Sequence, residues 1–254
     1  MGQDDAQGIS RRLEHHFDAA DFRELVPTLA KEWQENDFVE ISDFLPEDLL
    51  LRTREELEQL YGARSLRRDI RVPSTGNTPR FFSNIDRNTL LASTSVIPTV
   101  FNSPALRARL SEITGLEVVP VPYVPEEFIS SRMERPGDGH GWHWDDYSLA
   151  LVWLIQAAPR NAGGSLEFVR GTFWDKANPD VERFLAEGEV ERRHPATGSA
   201  YLLRTDTSMH RVSPVDEGAE RIMVCFSYCT PEELELNISH ETMELLHPGN
   251  TEAD

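Results

Sequence analysis

Hydrophobic positions along this chain follow two different periods. As far as Gly115 they recur at the spacing of one helix face; from Leu116 onward they alternate or form short continuous runs, the spacing of strands. Ala20 to Glu35, with Leu25, Leu29 and Trp33, predicts a helix whose start is restricted by Pro27. Asp37 to Phe44 alternates and predicts a strand. Pro46, followed by Glu47 and Asp48 at the positive end, opens a second helix, with Leu49, Leu50, Leu57 and Leu60 on its apolar face to about Tyr61. The arginine-rich segment 62–84 reads as a loop with one short strand. Leu90 to Gly115 reads as two helical pieces, broken near Pro98, restarted by Ser103-Pro104 and stopped by Gly115.

The later strands are expected at Leu116–Pro122, Glu127–Glu134, Leu149–Gln156, Ser165–Arg170, Ser199–Thr205, His210–Pro214 and Arg221–Tyr228, with a helical or irregular insertion over Phe173–Gly188. Helices first and short strands later predict one domain over 1–254: a flexible or short helical arm over 1–19, helical support over 20–115, a β core over 116–230 and a C-terminal extension over 231–254. The fold class is mostly β with flanking α, a sandwich or barrel backed by the N-terminal helices.

The chain carries 25 basic and 44 acidic residues, a formal charge of −19. Such a field repels phosphate, which argues against nucleic acid and anionic membranes as partners and mildly favours a cationic small molecule; a homodimer stays open. No signal peptide or spanning segment is visible, so a cytoplasmic location is expected. Cys225 and Cys229, four apart in one expected strand, are too far apart to pair and read as free thiols.

The chemistry concentrates in Gly141-Trp142-His143-Trp144-Asp145-Asp146-Tyr147. His143 and Asp145, two apart, share one face of an expected strand, and His210 from a distant strand would complete a two-His-one-carboxylate face on a metal. Alone, His-x-Asp is a common accident. Its setting between a Gly-rich turn and the apolar run Leu149–Ile155 strengthens it. Arg221, at the start of another apolar strand, adds a guanidinium fork able to bind the free carboxylate of a dicarboxylate co-substrate.

In this order, His-x-Asp, then His, then Arg, the chain resembles the iron(II)/2-oxoglutarate-dependent oxygenases with the double-stranded β-helix (jelly-roll, cupin-like) fold. His140 to Tyr147 further resembles the BesD-like group of free-amino-acid halogenases and hydroxylases, several acting on lysine. The resemblance implies that His143, Asp145 and His210 hold Fe(II) and that Arg221 anchors 2-oxoglutarate. It also implies that 2-oxoglutarate and O2 are converted to succinate and CO2. Halogenating members carry a small residue where this chain has Asp145, so hydroxylation is the expected outcome.

By the same resemblance Arg80, Glu126, His140 and Asp146 grip the substrate, a set suited to a zwitterion: Arg80 for a carboxylate, the two acids for ammonium groups. If Arg221 faces inward, alternation turns Met223, Cys225 and Ser227 the same way, which adds Ser227 to the cavity wall. His15, His16, His194, His240 and His247 stand in polar surroundings and read as surface residues. The alternatives are the same chemistry on another amino acid, a peptide or a small metabolite, and a metal-binding β-barrel without catalysis.

Overall fold

The computed structural model describes residues 3–247. In chain order it contains α1 (Gln3–Asp18), α2 (Ala20–Asn36), β1 (Phe38–Ile41), α3 (Glu47–Ala63), β2 (Leu66–Val72), β3 (Thr78–Ile85), α4 (Arg87–Ser93), α5 (Val96–Phe101) and α6 (Pro104–Thr114). There follow β4 (Val119–Pro120), β5 (Phe128–Met133), β6 (Gly139–His143), β7 (Leu149–Gln156), β8 (Leu166–Arg170), α7 (Val181–Glu187), β9 (Glu191–Arg193), β10 (Ala200–Arg204), β11 (Ser208–Val212), β12 (Arg221–Cys229) and α8 (Glu241–Leu246). No helix among the described residues is long and apolar enough to cross a membrane.

The strands join in the order β1-β10-β7-β12-β5-β3-β6-β11-β8-β9, with β2 on β3 and β4 on β12. This path folds back on itself. Phe168 of β8 stacks on Phe38 of β1 with ring centroids 5.6 Å apart, so the two ends of the sheet meet across the interior. The result is the expected double-stranded β-helix, closed on one side by helices.

Strand alternation explains the continuous apolar run of β7. Leu149, Leu151, Trp153 and Ile155 pack on the helices, while Ala150, Val152 and Leu154 face the interior between the sheets. β12 divides in the same way: Ile222, Val224, Phe226 and Tyr228 join the helix-side core, and Arg221, Met223, Cys225 and Ser227 face a cavity. A strand buried on both faces needs no polar alternation, and only its register decides which residues see the cavity.

Several expectations are corrected. Within the arm expected at 1–19, Gln3–Asp18 form helix α1 rather than a flexible segment, and Ile9, Leu13 and Phe17 make a narrow apolar stripe against α5 and α6. In α2 the buried face is Phe22, Val26, Leu29 and Trp33, and Pro27 lies inside the helix; Leu25 is exposed. Segment 62–84 contains the hairpin β2–β3. β2 is polar because it pairs only with β3, whereas β3 also lies between β5 and β6. The region 90–115 holds three helices, with Pro98 within α5. Over 116–122 only Val119–Pro120 pairs.

Because Phe17 is fully buried and edge-on to Phe22 at 5.1 Å, Phe17→Ala is expected to cost about 3 kcal/mol of unfolding free energy. Urea denaturation reads this directly; a change within about 0.5 kcal/mol would mark the segment as loosely attached.

Candidate metal centre and cavity

β6 lies between β3 and β11, and its register with β11 places His143 directly opposite His210, with ring centroids 4.0 Å apart. Three residues of β6 span the length that two span on β11, since His210 pairs with His143 and Val212 with His140. This bulge turns His140 to the same side as His143, where the rings stack at 3.9 Å; without it, positions three apart would face opposite ways. Asp145 lies beyond the end of β6 rather than in a strand, so turn geometry, and not strand alternation, brings it to the two imidazoles.

The three donor atoms converge. His143 Nε2 lies 3.5 Å and His210 Nε2 3.8 Å from Asp145 Oδ1. The imidazole tautomers are fixed by main-chain carbonyls, which can only accept. His143 Nδ1 donates to Gly141 O at 2.8 Å and His210 Nδ1 to Ser208 O at 3.0 Å, leaving each Nε2 with a lone pair aimed at the shared point. Burial and the neighbouring charges of His140, His210 and Arg80 hold the His143 pKa well below the usual imidazole range, which keeps that lone pair available. Two imidazole nitrogens and one carboxylate oxygen within 4.8 Å of one another suit a ferrous ion.

Gly141 is required by close approach. A Cβ there would lie 2.5 Å from Pro79 Cδ and 2.8 Å from Thr78 Cβ, so β6 could not keep its distance from β3. Gly141→Ala is therefore expected to weaken Fe(II) binding by about 10- to 100-fold, because it displaces the carbonyl that orients His143. Metal titration monitored by protein fluorescence checks this; native affinity would show that the strand absorbs the methyl group.

The donors open onto a cavity lined by Glu126, His140, Asp146, Tyr201, Arg221 and Ser227 among others, with largely apolar walls from Trp144, Val152, Leu203, Val212 and Met223. Arg221 is 2% exposed, hydrogen-bonds Tyr201, and has an Nη1 with no partner, a buried donor lacking a carboxylate. The residues thus fit a ferrous ion with a dicarboxylate beside it.

Of the residues expected to grip a substrate, Glu126, His140, Asp146 and Ser227 line the cavity. Arg80 does not. Its guanidinium donates to Thr75, Thr78 and Pro79, and burial lowers its pKa to about 9. Glu126 Oε2 is buried without a hydrogen-bond partner, 3.8 Å from His240 Nδ1; burial first, then the charges of Asp146 and Asp145, push its pKa well above the usual carboxylate range.

His240 belongs to this cluster and not to the open surface. Its ring stacks on Tyr123 at 3.7 Å and its Nδ1 lies 3.3 Å from Asp146 Oδ2. His247 is buried as well, while His16 and His194 are half-buried and bonded to main-chain carbonyls; His15 is exposed. The cavity also includes Tyr201, Trp174, Thr242, Met243 and Leu246, and Lys176 pairs with Asp146 beside it. Period two along β10 (Tyr201, Leu203), continuing to Thr205 just beyond it, carried a signal for Tyr201; nothing local marks the others.

The Halogenase D family model matches residues 22–248. No curated protein matches the sequence. Among solved structures, the epimerase SnoN from nogalamycin biosynthesis, in complex with Fe3+, alpha ketoglutarate and nogalamycin RO, is similar with a TM-score of 0.63 at 12% identity, covering 82% of this chain and 84% of that one. A prolyl hydroxylase from Trichoplax adhaerens has a TM-score of 0.62 at 13% identity, covering 93% and 97%. AviO1 from Streptomyces viridochromogenes Tue57 has a TM-score of 0.59 at 18% identity, covering 81% and 95%. At these identities the likeness is one of fold.

Proposed function

Since the chain belongs to the Halogenase D family by its match over residues 22–248, we propose that it is an Fe(II)/2-oxoglutarate-dependent dioxygenase that hydroxylates an unactivated C–H bond of a free cationic amino acid, lysine first among them. The observation that carries this reading is the convergence of His143, Asp145 and His210 on one point, next to a buried Arg221 with an unused donor. When bound, iron and 2-oxoglutarate activate O2, placing one oxygen atom in succinate, with release of CO2, and the other in the substrate C–H bond.

The chain's own residues do the positioning. Arg221 fixes the distal carboxylate of 2-oxoglutarate through a two-pronged fork, and Tyr201 orients the guanidinium. Trp144, Val152, Leu203 and Met223 keep bulk water from the reacting centre. Glu126 and Asp146 accept hydrogen bonds from substrate ammonium groups, and an arriving cation draws the raised Glu126 pKa back down. The family's description names a halogenase, but Asp145 supplies a carboxylate donor at the position where halogenating members of the resembled group keep a small residue. That favours hydroxylation.

The test is an incubation of the protein with Fe(II), 2-oxoglutarate, O2, chloride and a panel of free amino acids and short peptides. L-lysine is expected to gain one oxygen atom with matching succinate release. A chlorinated product from the native protein would overturn the hydroxylase assignment, and turnover of peptides alone would overturn the free-amino-acid one.

A further inference from the structure

The chain already holds an ammonium group against the acid proposed above to bind substrate. Lys176 Nζ donates to Asp146 Oδ1 at 2.6 Å and to the main-chain oxygen of Ser239, and lies 3.5 Å from Glu241 Oε2. The Trp174 ring lies beneath it, centroid 4.4 Å away. These partners come from three separate stretches: the turn after β6, the loop after β8, and the segment entering α8. Thr242, Met243 and Leu246 of that last segment line the cavity. Residues 239–246 therefore lie as a strap along the cavity, tied to Asp146 by the Lys176 ammonium and by His240, whose Nδ1 lies 3.3 Å from Asp146 Oδ2.

The local charge balance favours further cations. Asp146 and Glu241 pair with Lys176, while Asp146 and Glu126 also face His240 Nδ1 at 3.3 and 3.8 Å, so three acids meet one lysine and one imidazole; the Asp146 side chain is only 4% exposed. A carboxylate that deep is costly without a partner cation. The Lys176 side chain is 26% exposed, so it has a route to water, where an ammonium is well hydrated. Exchanging one ammonium for another at Asp146 preserves the charge pair, whereas simply withdrawing Lys176 does not.

We propose that Lys176 is an internal stand-in for the substrate's ammonium group: it holds Asp146 and closes the strap until an organic ammonium takes its place and frees both. This rests on the reading that Asp146 receives a substrate cation. A compound without an ammonium group, such as an N-acylated amino acid with a neutral side chain, leaves the latch shut. Lys176 is thus a determinant of which molecules enter.

Hydrogen exchange across 239–246 tests the latch without a substrate. Lys176→Met and Asp146→Asn are each expected to raise exchange there by about 10-fold, and two independent variants guard against one failing to fold. In the native protein, methylammonium chloride should accelerate the same amides while equal sodium chloride does not. In the anaerobic Fe(II)/2-oxoglutarate complex, calorimetry should show Lys176→Met binding L-lysine about 10-fold tighter than native, with Lys176→Arg unchanged, because the competing closed state is removed.

Unchanged exchange in both variants, no response to methylammonium, or weaker L-lysine binding by Lys176→Met would each overturn the proposal. If L-lysine binds neither protein while the exchange and methylammonium results stand, the latch is upheld and the lysine assignment is what fails.

Discussion

Replacing Arg221 with methionine is expected to raise the 2-oxoglutarate concentration for half-maximal turnover by on the order of 100- to 1,000-fold while leaving the melting temperature unchanged or higher. The two effects have one cause. Arg221 is almost fully buried at the start of β12, and its Nη1 has no hydrogen-bond partner. A buried guanidinium that lacks an acid contributes little to folding, and an apolar residue of similar length often replaces it at no cost. Its benefit appears when a carboxylate arrives. Truncating one partner of a buried charge pair costs about 2–5 kcal/mol of binding, a span whose middle is the expected range. Succinate formation against 2-oxoglutarate concentration, with a thermal melt of the same samples, reads both. A fall in melting temperature with an unchanged 2-oxoglutarate requirement would mark Arg221 as structural.

Asp145→Gly is expected to lower hydroxylation by at least about 100-fold. Loss of a group that merely orients a metal ligand costs about 10- to 100-fold in affinity or activity, so loss of the only carboxylate in the donor set should reach the upper end or beyond. The substitution leaves two imidazoles whose Nδ1 atoms remain fixed by Gly141 and Ser208, so some iron should still bind. A vacant position beside them is the arrangement that admits chloride, and a minor chlorinated product is expected when chloride is supplied. Metal content and product masses from the same incubation separate lost iron from altered chemistry. Hydroxylation at the native rate would remove Asp145 from the ligand set.

Much of this was legible in the sequence, for identifiable reasons. The strands β7 and β12 fall where their apolar runs predict, because double burial leaves no other reading of such stretches. The inward face of β12, with Ser227 on it, followed from period two once Arg221 was taken to face inward. The donor set was legible as a motif, yet its geometry was not: Asp145 lies outside the strand, and the bulge that stacks His140 on His143 appears only when β6 is paired with β11.

Other features were hidden because long-range packing decides them. α1 shows only three large apolar positions in a polar segment, too few to announce a packed helix. Arg80 has the chemistry of a carboxylate binder, but Thr75 and Thr78 engage its donors. His240 stands among polar neighbours in sequence, and only the return of the C-terminal segment over the cavity brings it to Asp146, which Lys176 reaches from the loop after β8.

The measurement that bears most directly on the metal centre is an anaerobic titration of the native protein with Fe(II) and 2-oxoglutarate, followed by visible absorption. A ferrous ion chelated by a 2-oxo acid gives a charge-transfer band that neither component gives alone. The expected result is a band that saturates at one iron per chain and is absent from His210→Ala. No band in the native protein, or an undiminished one in His210→Ala, would contradict the centre formed by His143, Asp145 and His210.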